Sequence, residues 1–236
     1  MNFLFETLEI FIMKIICIAD IHGNREAIKN VKEFAISRGI ERFIILGDFP
    51  GYESFKDEGE NLEEIKDVLN MLKNFKVLAI PGNCDHPRAV DVFNEFNVNL
   101  HEKIIVMDDL SLVGLGGSTP TPFGTPFEIG EEEIYNKLKK LIESVETDRF
   151  ILALHNPPFN TECDATADGV HIGSVSIRKI VEEFQPSLVL SSHVHESGGK
   201  TDKIGNSVIA NIGPLMHNRI GILDINGDIK IELMKI

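Results

Sequence analysis

Short apolar runs alternate along the chain with longer segments in which apolar residues recur every three or four positions. The runs have the length of buried strands, and the segments between them have the period of amphipathic helices. Asn24 stands where a helix N-cap is expected, and Gly39 stands just past the end of that helix. The predicted strands of this part are 14–19, 42–46 and 76–80, and the predicted helices are 25–38, followed by Gly39, and 60–75.

The same alternation continues to about residue 191 and then changes. The later predictions are strands 103–107, 110–116, 149–154 and 187–191, with helices 131–145 and 175–184. The tail has strands at 206–213, 219–225 and 228–234 with no helix between them, so we expect these strands to be antiparallel. The pattern predicts an α/β protein with two sheets face to face and helices outside.

The first twelve residues form an apolar N-terminal extension to a single domain predicted over 13–236. They lack the basic start and cleavage site of a signal peptide, and they are too short to span a bilayer. They are either an upstream-start extension or a short helix. In the second case Leu4, Leu8 and Phe11 form a stripe that docks onto the domain or onto a second subunit, which leaves a homodimer open.

Composition and charge exclude several classes of partner. The net charge of −14 over 236 residues argues against broad binding to nucleic acid or anionic lipid, which requires clustered Lys and Arg. The three cysteines, Cys17, Cys84 and Cys163, are far apart and form no metal-binding or disulfide pattern. We therefore expect free thiols, a cytoplasmic location and no membrane partner.

Polar residues that can bind metal ions follow five of the predicted strands. Ligands collect beyond the carboxyl ends of strands in α/β sheets, so these side chains are expected to converge. They are Asp20, His22, Asp48, Asn83, His155, His193 and His195. Imidazole and oxygen donors suit Mn, with Ni, Fe, Zn or Co as alternatives, rather than Ca.

Seven donors are too many for one tetrahedral ion that must keep an open position. Two divalent ions about 3.5–4 Å apart, bridged by Asp48, are the economical interpretation. Their four positive charges exceed the three negative charges of Asp20, Asp48 and a bridging hydroxide, so the site would attract phosphate. We expect the hydroxide to attack phosphorus in line, with Asp48 and Asn83 as catalytic residues.

The segments "DIH", "GD", "GN", "H" and "HVH", in this order over residues 15 to 217, resemble the calcineurin-like metallophosphoesterase family. The resemblance implies an α/β/β/α sandwich of two mixed sheets flanked by helices and a dinuclear metal site. It also implies the ligands of each ion: Asp20, His22, Asp48 and His195 for one, and Asp48, Asn83, His155 and His193 for the other.

The chain departs from the family pattern in three places. The first is "GNCD" in place of the usual "GNH", which resembles a subgroup of small prokaryotic phosphoesterases. The second is Ser192 in place of the usual Gly before the last "HxH". The third is "FPGYE" in place of an acidic residue after "GD". Cys84 is interpreted as a small packed residue or as a thiol that protonates the leaving group, and His86 is a competing acid. We do not expect Cys84 to be the nucleophile or a metal ligand.

Two loops and two further histidines complete the predictions. Two loops are interpreted either as specificity elements or as simple connections: 156–173, which contains His171, and 116–127. His101 and His217 are expected on the surface or in loops.

The favoured function is a dinuclear-metal phosphoesterase acting on a small phosphomonoester or phosphodiester. The alternatives are a nuclease and a catalytically weak interaction scaffold of the same fold.

Overall fold

The computed structural model describes residues 13–236, so the predictions for residues 1–12 lie outside the described residues. The first sheet has five strands in the order β11-β10-β1-β2-β3. β1, β2 and β3 are parallel, whereas β10 is antiparallel to both β1 and β11. These strands are β1 (Met13–Ile18), β2 (Arg42–Ile45), β3 (Lys76–Ala79), β10 (Arg219–Asn226) and β11 (Asp228–Lys235).

The second sheet has six strands in the order β4-β5-β6-β7-β9-β8. Its central strands β5, β6, β7 and β9 are parallel, and the edge strands β4 and β8 are antiparallel to their neighbours. These strands are β4 (Lys103–Met107), β5 (Leu110–Leu115), β6 (Arg149–Leu154), β7 (Leu188–Ser191), β8 (Thr201–Ile204) and β9 (Ser207–Asn211).

Within residues 13–236, five α-helices cover the outer faces of the two sheets. The helix α1 begins and ends as predicted, because the side chain of Asn24 accepts from N of Ala27 and Gly39 adopts a left-handed conformation with φ 65°. The helices are α1 (Arg25–Arg38), α2 (Glu58–Met71), α3 (Ala89–Glu95), α4 (Glu131–Ile142) and α5 (Val175–Phe184).

Three apolar layers hold these elements together. Alternate residues of β1 point to opposite faces, so Ile16 packs under α1 to α3 while Cys17 packs between the sheets. The middle layer joins residues of both sheets, such as Ile44 and Leu112. The third layer packs α4 and α5 on the second sheet. The predicted α/β/β/α sandwich is confirmed.

The prediction for the tail is wrong for one strand. β9 lies in the second sheet, parallel to β7 and antiparallel to β8, so of the three predicted tail strands only β10 and β11 pair with each other. Between β9 and β10 the chain crosses from the second sheet to the first through a 3-10 turn at Leu215–His217. The absence of a helix between these two strands therefore did not indicate that they form a hairpin. The sequence prediction also omitted α3, which has only seven residues, and β8, which is an edge strand with a single buried residue.

His101 lies in the connection between α3 and β4, which is one of its two predicted alternatives, but it is buried and not on the surface, whereas His217 is exposed. His101 is only 7% exposed, and its Nδ1 accepts a hydrogen bond of 2.9 Å from N of Gly116. Burial lowers the pKa of His101 to about 4 despite the opposing charge of Glu102. The imidazole is therefore a neutral acceptor inside the fold.

Candidate metal centre

The seven predicted side chains follow the carboxyl ends of five parallel strands drawn from both sheets. Loops after β1, β2 and β3 carry the first four residues, and loops after β6 and β7 carry the three remaining histidines. Because the two sheets face each other, these loops meet at one end of the sandwich. The loops carry Asp20, His22, Asp48, Asn83, His155, His193 and His195.

One cluster is formed by Asp20, His22 and His195, whose donor atoms all lie within 4.8 Å of one another. Nε2 of His22 is 3.4 Å from Nε2 of His195, and Nε2 of His195 is 3.3 Å from Oδ1 of Asp20. Two imidazole nitrogens and a carboxylate oxygen that face one point are suited to hold a cation.

A second cluster surrounds His155. Its Nε2 lies 3.5 Å from Oδ2 of Asp48 and 2.9 Å from Oδ1 of Asn83. The ring of His193 lies 5.1 Å from the ring of His155. Oδ2 of Asp48 is also 3.8 Å from Nε2 of His22, so one carboxylate oxygen lies between the two clusters.

Two buried polar atoms of the first cluster have no hydrogen-bond partner among residues 13–236. They are Oδ1 of Asp20 and Nδ1 of His22. Leaving a carboxylate oxygen unpaired in a protein interior is costly, and a cation bound by Oδ1 of Asp20 would remove that cost. Nε2 of His22 is the ring nitrogen that faces the other donors, so a cation would be bound by Nε2 and not by Nδ1. The residues present therefore fit the divalent metal ions that the family resemblance implies.

Four of the seven residues have an unusual backbone conformation. Asp20, His22, Asp48 and His193 have positive φ angles of 48°, 45°, 58° and 65°. For residues other than Gly this conformation is sparsely populated and costs of order 1–3 kcal/mol when the surroundings enforce it. A glycine would relieve the backbone at each position, but it would remove the side chain that the site requires.

Two glycines allow the loops after β2 and β3 to touch. A Cβ atom on Gly47 would overlap the backbone N of Gly82, and a Cβ atom on Gly82 would overlap Oδ1 of Asp48. The carboxylate of Asp85 fixes this contact by accepting from N of Asp48, Phe49 and Gly82 at 2.8, 3.0 and 2.6 Å. Burial and the charge of Asp48 raise the pKa of Asp85 to about 7, against these three donors.

Charges inside the site support metal binding. Burial raises the pKa of the Asp20 and Asp48 carboxyl groups, but the neighbouring histidines lower it by more. The pKa of Asp20 is therefore about 2, and that of Asp48 is also below its usual value. Burial, followed by the charge of His155, lowers the pKa of His193 to about 4. Two carboxylates and a neutral imidazole are the protonation states that bind cations. Against the effect of burial, the charge of Asp48 raises the pKa of His155 to about 9, and the hydrogen bond to Asp20 raises the pKa of His195, so these two imidazoles must release protons when a cation binds.

Cys84 lies at the edge of the site. Its sulfur belongs to a cluster with His22 and Asp48 whose donor atoms lie within 4.8 Å of one another, and it lines the cavity above them. Burial and the charge of Asp48 raise the pKa of its thiol above the ordinary value. These surroundings keep the thiol of Cys84 protonated, which argues against a thiolate nucleophile.

The structure does not bring His86 into this cavity. Its ring faces Glu58, with 3.6 Å between Nε2 and Oε2, and its Nδ1 accepts from N of Arg88. His171 is also held elsewhere, because its Nδ1 lies 2.7 Å from Oδ1 of Asp164.

A cavity of about 610 Å³ opens over the clustered donors. Both predicted loops contribute to its wall, with Phe123 from 116–127 and Ile172 from 156–173. Tyr52 stacks on the ring of His22, with 4.3 Å between ring centroids, and Phe55 adds a further aromatic side chain. The donors thus lie at the base of a partly apolar cavity.

Sequence reasoning missed roles for Tyr52, Ser192, Thr125 and Glu128. The first two fall at places where the sequence departs from the family pattern, which was a usable signal. Ser192 is buried, and its hydroxyl donates a short hydrogen bond to Oδ2 of Asp20. Thr125 and Glu128 lie in the loop after "GGSTP", where the sequence offered only a general expectation of a cavity wall.

Among residues 13–236, no helix combines the length and the apolar character that crossing a bilayer would need. All three cysteines fall in this range and are free, as predicted from their spacing.

The fold and the donor set together define a metal-binding α/β/β/α sandwich. Residues 13–197 match the sequence profile of the calcineurin-like phosphoesterases. The chain is also 35% identical over 227 residues to the protein MJ1162 of Methanocaldococcus jannaschii. The aligned region covers 91% of this chain and 98% of that protein. The chain belongs to the calcineurin-like phosphoesterase family, and thereby to the metal-dependent phosphoric ester hydrolases.

Many solved structures share the fold, and two of them illustrate the likeness. The protein TT1561 of Thermus thermophilus has a TM-score of 0.71 at 18% identity, over 95% of this chain and 99% of that one. A dimetal phosphatase from Danio rerio has a TM-score of 0.64 at 9% identity, over 94% and 98% of the two chains. Identities this low show a common fold and nothing further.

Proposed function

We propose that this chain uses two divalent metal ions, with Mn²⁺ as the favoured metal, to hydrolyse a small phosphomonoester or phosphodiester. Asp48 would bridge the ions. Asp20, His22 and His195 would complete one site, and Asn83, His155 and His193 the other. The observation that carries the proposal is the convergence of the donor atoms of Asp20, His22, Asp48, His155 and His195, in overlapping groups within 4.8 Å, beside the buried Oδ1 of Asp20.

When bound, the two ions supply an activated water and positive charge for the phosphate group. The protein residues prepare the site for them. Asp20 and Asp48 are ionised because neighbouring histidines lower their pKa values, and His193 is neutral because burial lowers its own. The carboxylate of Asp85 fixes the loop of Asp48 through three backbone donors.

The cavity supports a small ester that carries an apolar or aromatic group. Tyr52, Phe55 and Phe123 provide aromatic surface around the donors. The described residues that line the cavity include Glu196 and neither Lys nor Arg, which favours a single phosphate ester over a polyanion such as a nucleic acid. We assign no proton transfer to His86, because its ring faces Glu58 instead.

The test is metal content followed by activity of the full chain with Mn²⁺, Ni²⁺, Fe²⁺, Zn²⁺ or Co²⁺. The substrates are p-nitrophenyl phosphate, bis-p-nitrophenyl phosphate, cyclic nucleotides and single-stranded DNA. We expect Mn²⁺-stimulated hydrolysis of an aryl ester. Asp48→Ala should lower kcat at least about 100-fold, because removing even a residue that only supports a ligand costs 10- to 100-fold.

The matched control is Asp228→Ala, which also removes a carboxylate but lies exposed on β11 and should keep full activity. Cys84→Ala should keep most of the activity, because a neutral thiol is neither nucleophile nor required ligand in this proposal. Unchanged turnover in Asp48→Ala would refute the proposed site. The cytoplasmic location and the homodimer stay predictions from the sequence.

A further inference from the structure

A line of hydrogen bonds leads away from the metal centre into the loop that walls the cavity. Nδ2 of Asn83 donates to Oγ1 of Thr125 over 3.1 Å, and Oγ1 of Thr125 donates to Oε1 of Glu128 over 2.6 Å. At the other end of the same amide, Oδ1 of Asn83 lies 2.9 Å from Nε2 of His155. The two ends of the Asn83 amide therefore face different surroundings.

The direction of these hydrogen bonds follows from the chemistry of Glu128. Its Oε1 accepts from the backbone N–H and the hydroxyl of both Thr121 and Thr125, at 2.6 to 3.1 Å. Burial raises the pKa of Glu128, but these donors outweigh it and bring the pKa to about 2, so the carboxylate can only accept. The hydroxyl proton of Thr125 is committed to Glu128, and its oxygen is left to accept from Asn83.

We propose that Thr125 and Glu128 are positioning residues that fix which end of the Asn83 side chain faces the metal centre. The oxygen and the NH₂ group of an asparagine amide have nearly the same shape, but only the oxygen can bind a cation. With Nδ2 held by Thr125, Oδ1 is directed to the centre beside His155. The inference rests on the proposed metal site and extends it beyond the seven ligands.

The same loop is tied to Asn83 through its backbone, because N of Phe127 donates to O of Asn83 over 3.0 Å. Glu128 also holds Thr121, which lines the cavity two residues before Phe123. One carboxylate thus fixes both the orientation of a metal ligand and part of the cavity wall.

The test measures Mn²⁺ binding to the full chain by calorimetry and by electron paramagnetic resonance. Thr125→Val removes the hydroxyl at nearly constant volume and should weaken one of the two Mn²⁺ sites about 10- to 100-fold. Thr125→Ser keeps the hydroxyl, and Glu128→Gln keeps an accepting Oε1, so both should bind Mn²⁺ within about threefold of the wild type, since each keeps the contact that orients the amide. Thr121→Val is the matched control, because it removes the other hydroxyl on Glu128 without touching Asn83.

A double-mutant cycle separates orientation from general damage. In Asn83→Asp both ends of the side chain are oxygens, so orientation no longer matters. The effect of Thr125→Val on Mn²⁺ affinity should therefore disappear in the Asn83→Asp background. A simple loss of packing would persist there.

Equal Mn²⁺ affinity in the wild type and in folded Thr125→Val, or an equal penalty in both backgrounds, would overturn the positioning role while leaving the metal site intact. If Thr125→Val does not fold, Glu128→Ala in the same cycle gives the same comparison. A wild type that binds no Mn²⁺ would overturn the proposed function itself, which distinguishes the two failures.

Discussion

Single side chains in this protein are constrained mainly by burial among other polar groups. The ligand residues Asp20, His22, Asp48 and His193 hold left-handed backbone conformations that only their surroundings enforce. Their identity was readable from "DIH", "GD" and "HVH". Their conformation was not, because it depends on contacts between loops that are far apart in sequence, such as the contact of Gly47 with Gly82.

His101 gives a prediction at this scale. Its pKa is about 4 in the folded protein against an ordinary value of 6.5, because burial disfavours the charged ring. Between these values the unfolded chain binds a proton that the folded protein does not, so stability falls as the pH falls from 6.5 toward 4. From pH 7 to pH 5 this contribution is about 2 kcal/mol.

His101→Gln keeps an acceptor for N of Gly116 but cannot be protonated. Its free energy of unfolding, measured with urea in the presence of EDTA, should therefore fall less than that of the wild type between pH 7 and pH 5. The exposed His217→Gln is the control and should follow the wild type. Parallel pH profiles for His101→Gln and the wild type would contradict this explanation.

Secondary-structure elements depend on contacts at their ends as well as on their own periodicity. The long helices and most strands were predictable because their apolar residues recur at the helical or strand period. The elements α3 and β8 were not, since α3 has only two turns and β8 is an edge strand, Thr201–Ile204, with a single buried residue instead of an apolar run.

The junction of α4 and α5 gives a prediction for elements. Glu131, in the first turn of α4, accepts from N of Val175, N of Ser176 and Oγ of Ser174 at 2.6 to 3.0 Å, all at the beginning of α5. A carboxylate at a helix N-terminus satisfies donors that have no partner within the helix. Glu131→Ala should lower the free energy of unfolding by about 2 kcal/mol.

The neighbouring Glu132 is exposed and lies in the same turn of α4. Glu132→Ala therefore controls for charge and helix propensity, and we expect a change within about 0.5 kcal/mol in urea unfolding. Similar losses in the two variants would mean that the link to α5 contributes nothing.

At the scale of the whole molecule, the proposed metal ions connect the two sheets. Asp20, Asp48 and Asn83 follow strands of the first sheet, whereas His155 and His193 follow strands of the second. Ions bound between them would add to the apolar contacts of the middle layer, such as Ile44 with Leu112. Binding of metal should therefore stabilise the entire fold rather than one loop.

Mn²⁺ at about 100 times its Kd should raise the free energy of unfolding by about 2.7 kcal/mol for each site. Thermal unfolding with Mn²⁺ and with EDTA measures this as a shift of several degrees in Tm. Asp48→Asn keeps the size of the side chain and should lose most of the shift. An equal shift in Asp48→Asn would point to metal binding elsewhere.

The sequence by itself determined the residue types of the site, the strand–helix alternation and the class of fold, because each is written in local periodicity and in short motifs. Only the tertiary structure decided the parallel placement of β9, the burial of His101, the turning of His86 toward Glu58 and the hydrogen bonds from Asn83 through Thr125 to Glu128. The physical reason is distance along the chain. These features arise from pairings between segments tens of residues apart, and no local pattern of apolar and polar positions specifies which of the available partners a strand or a side chain will meet.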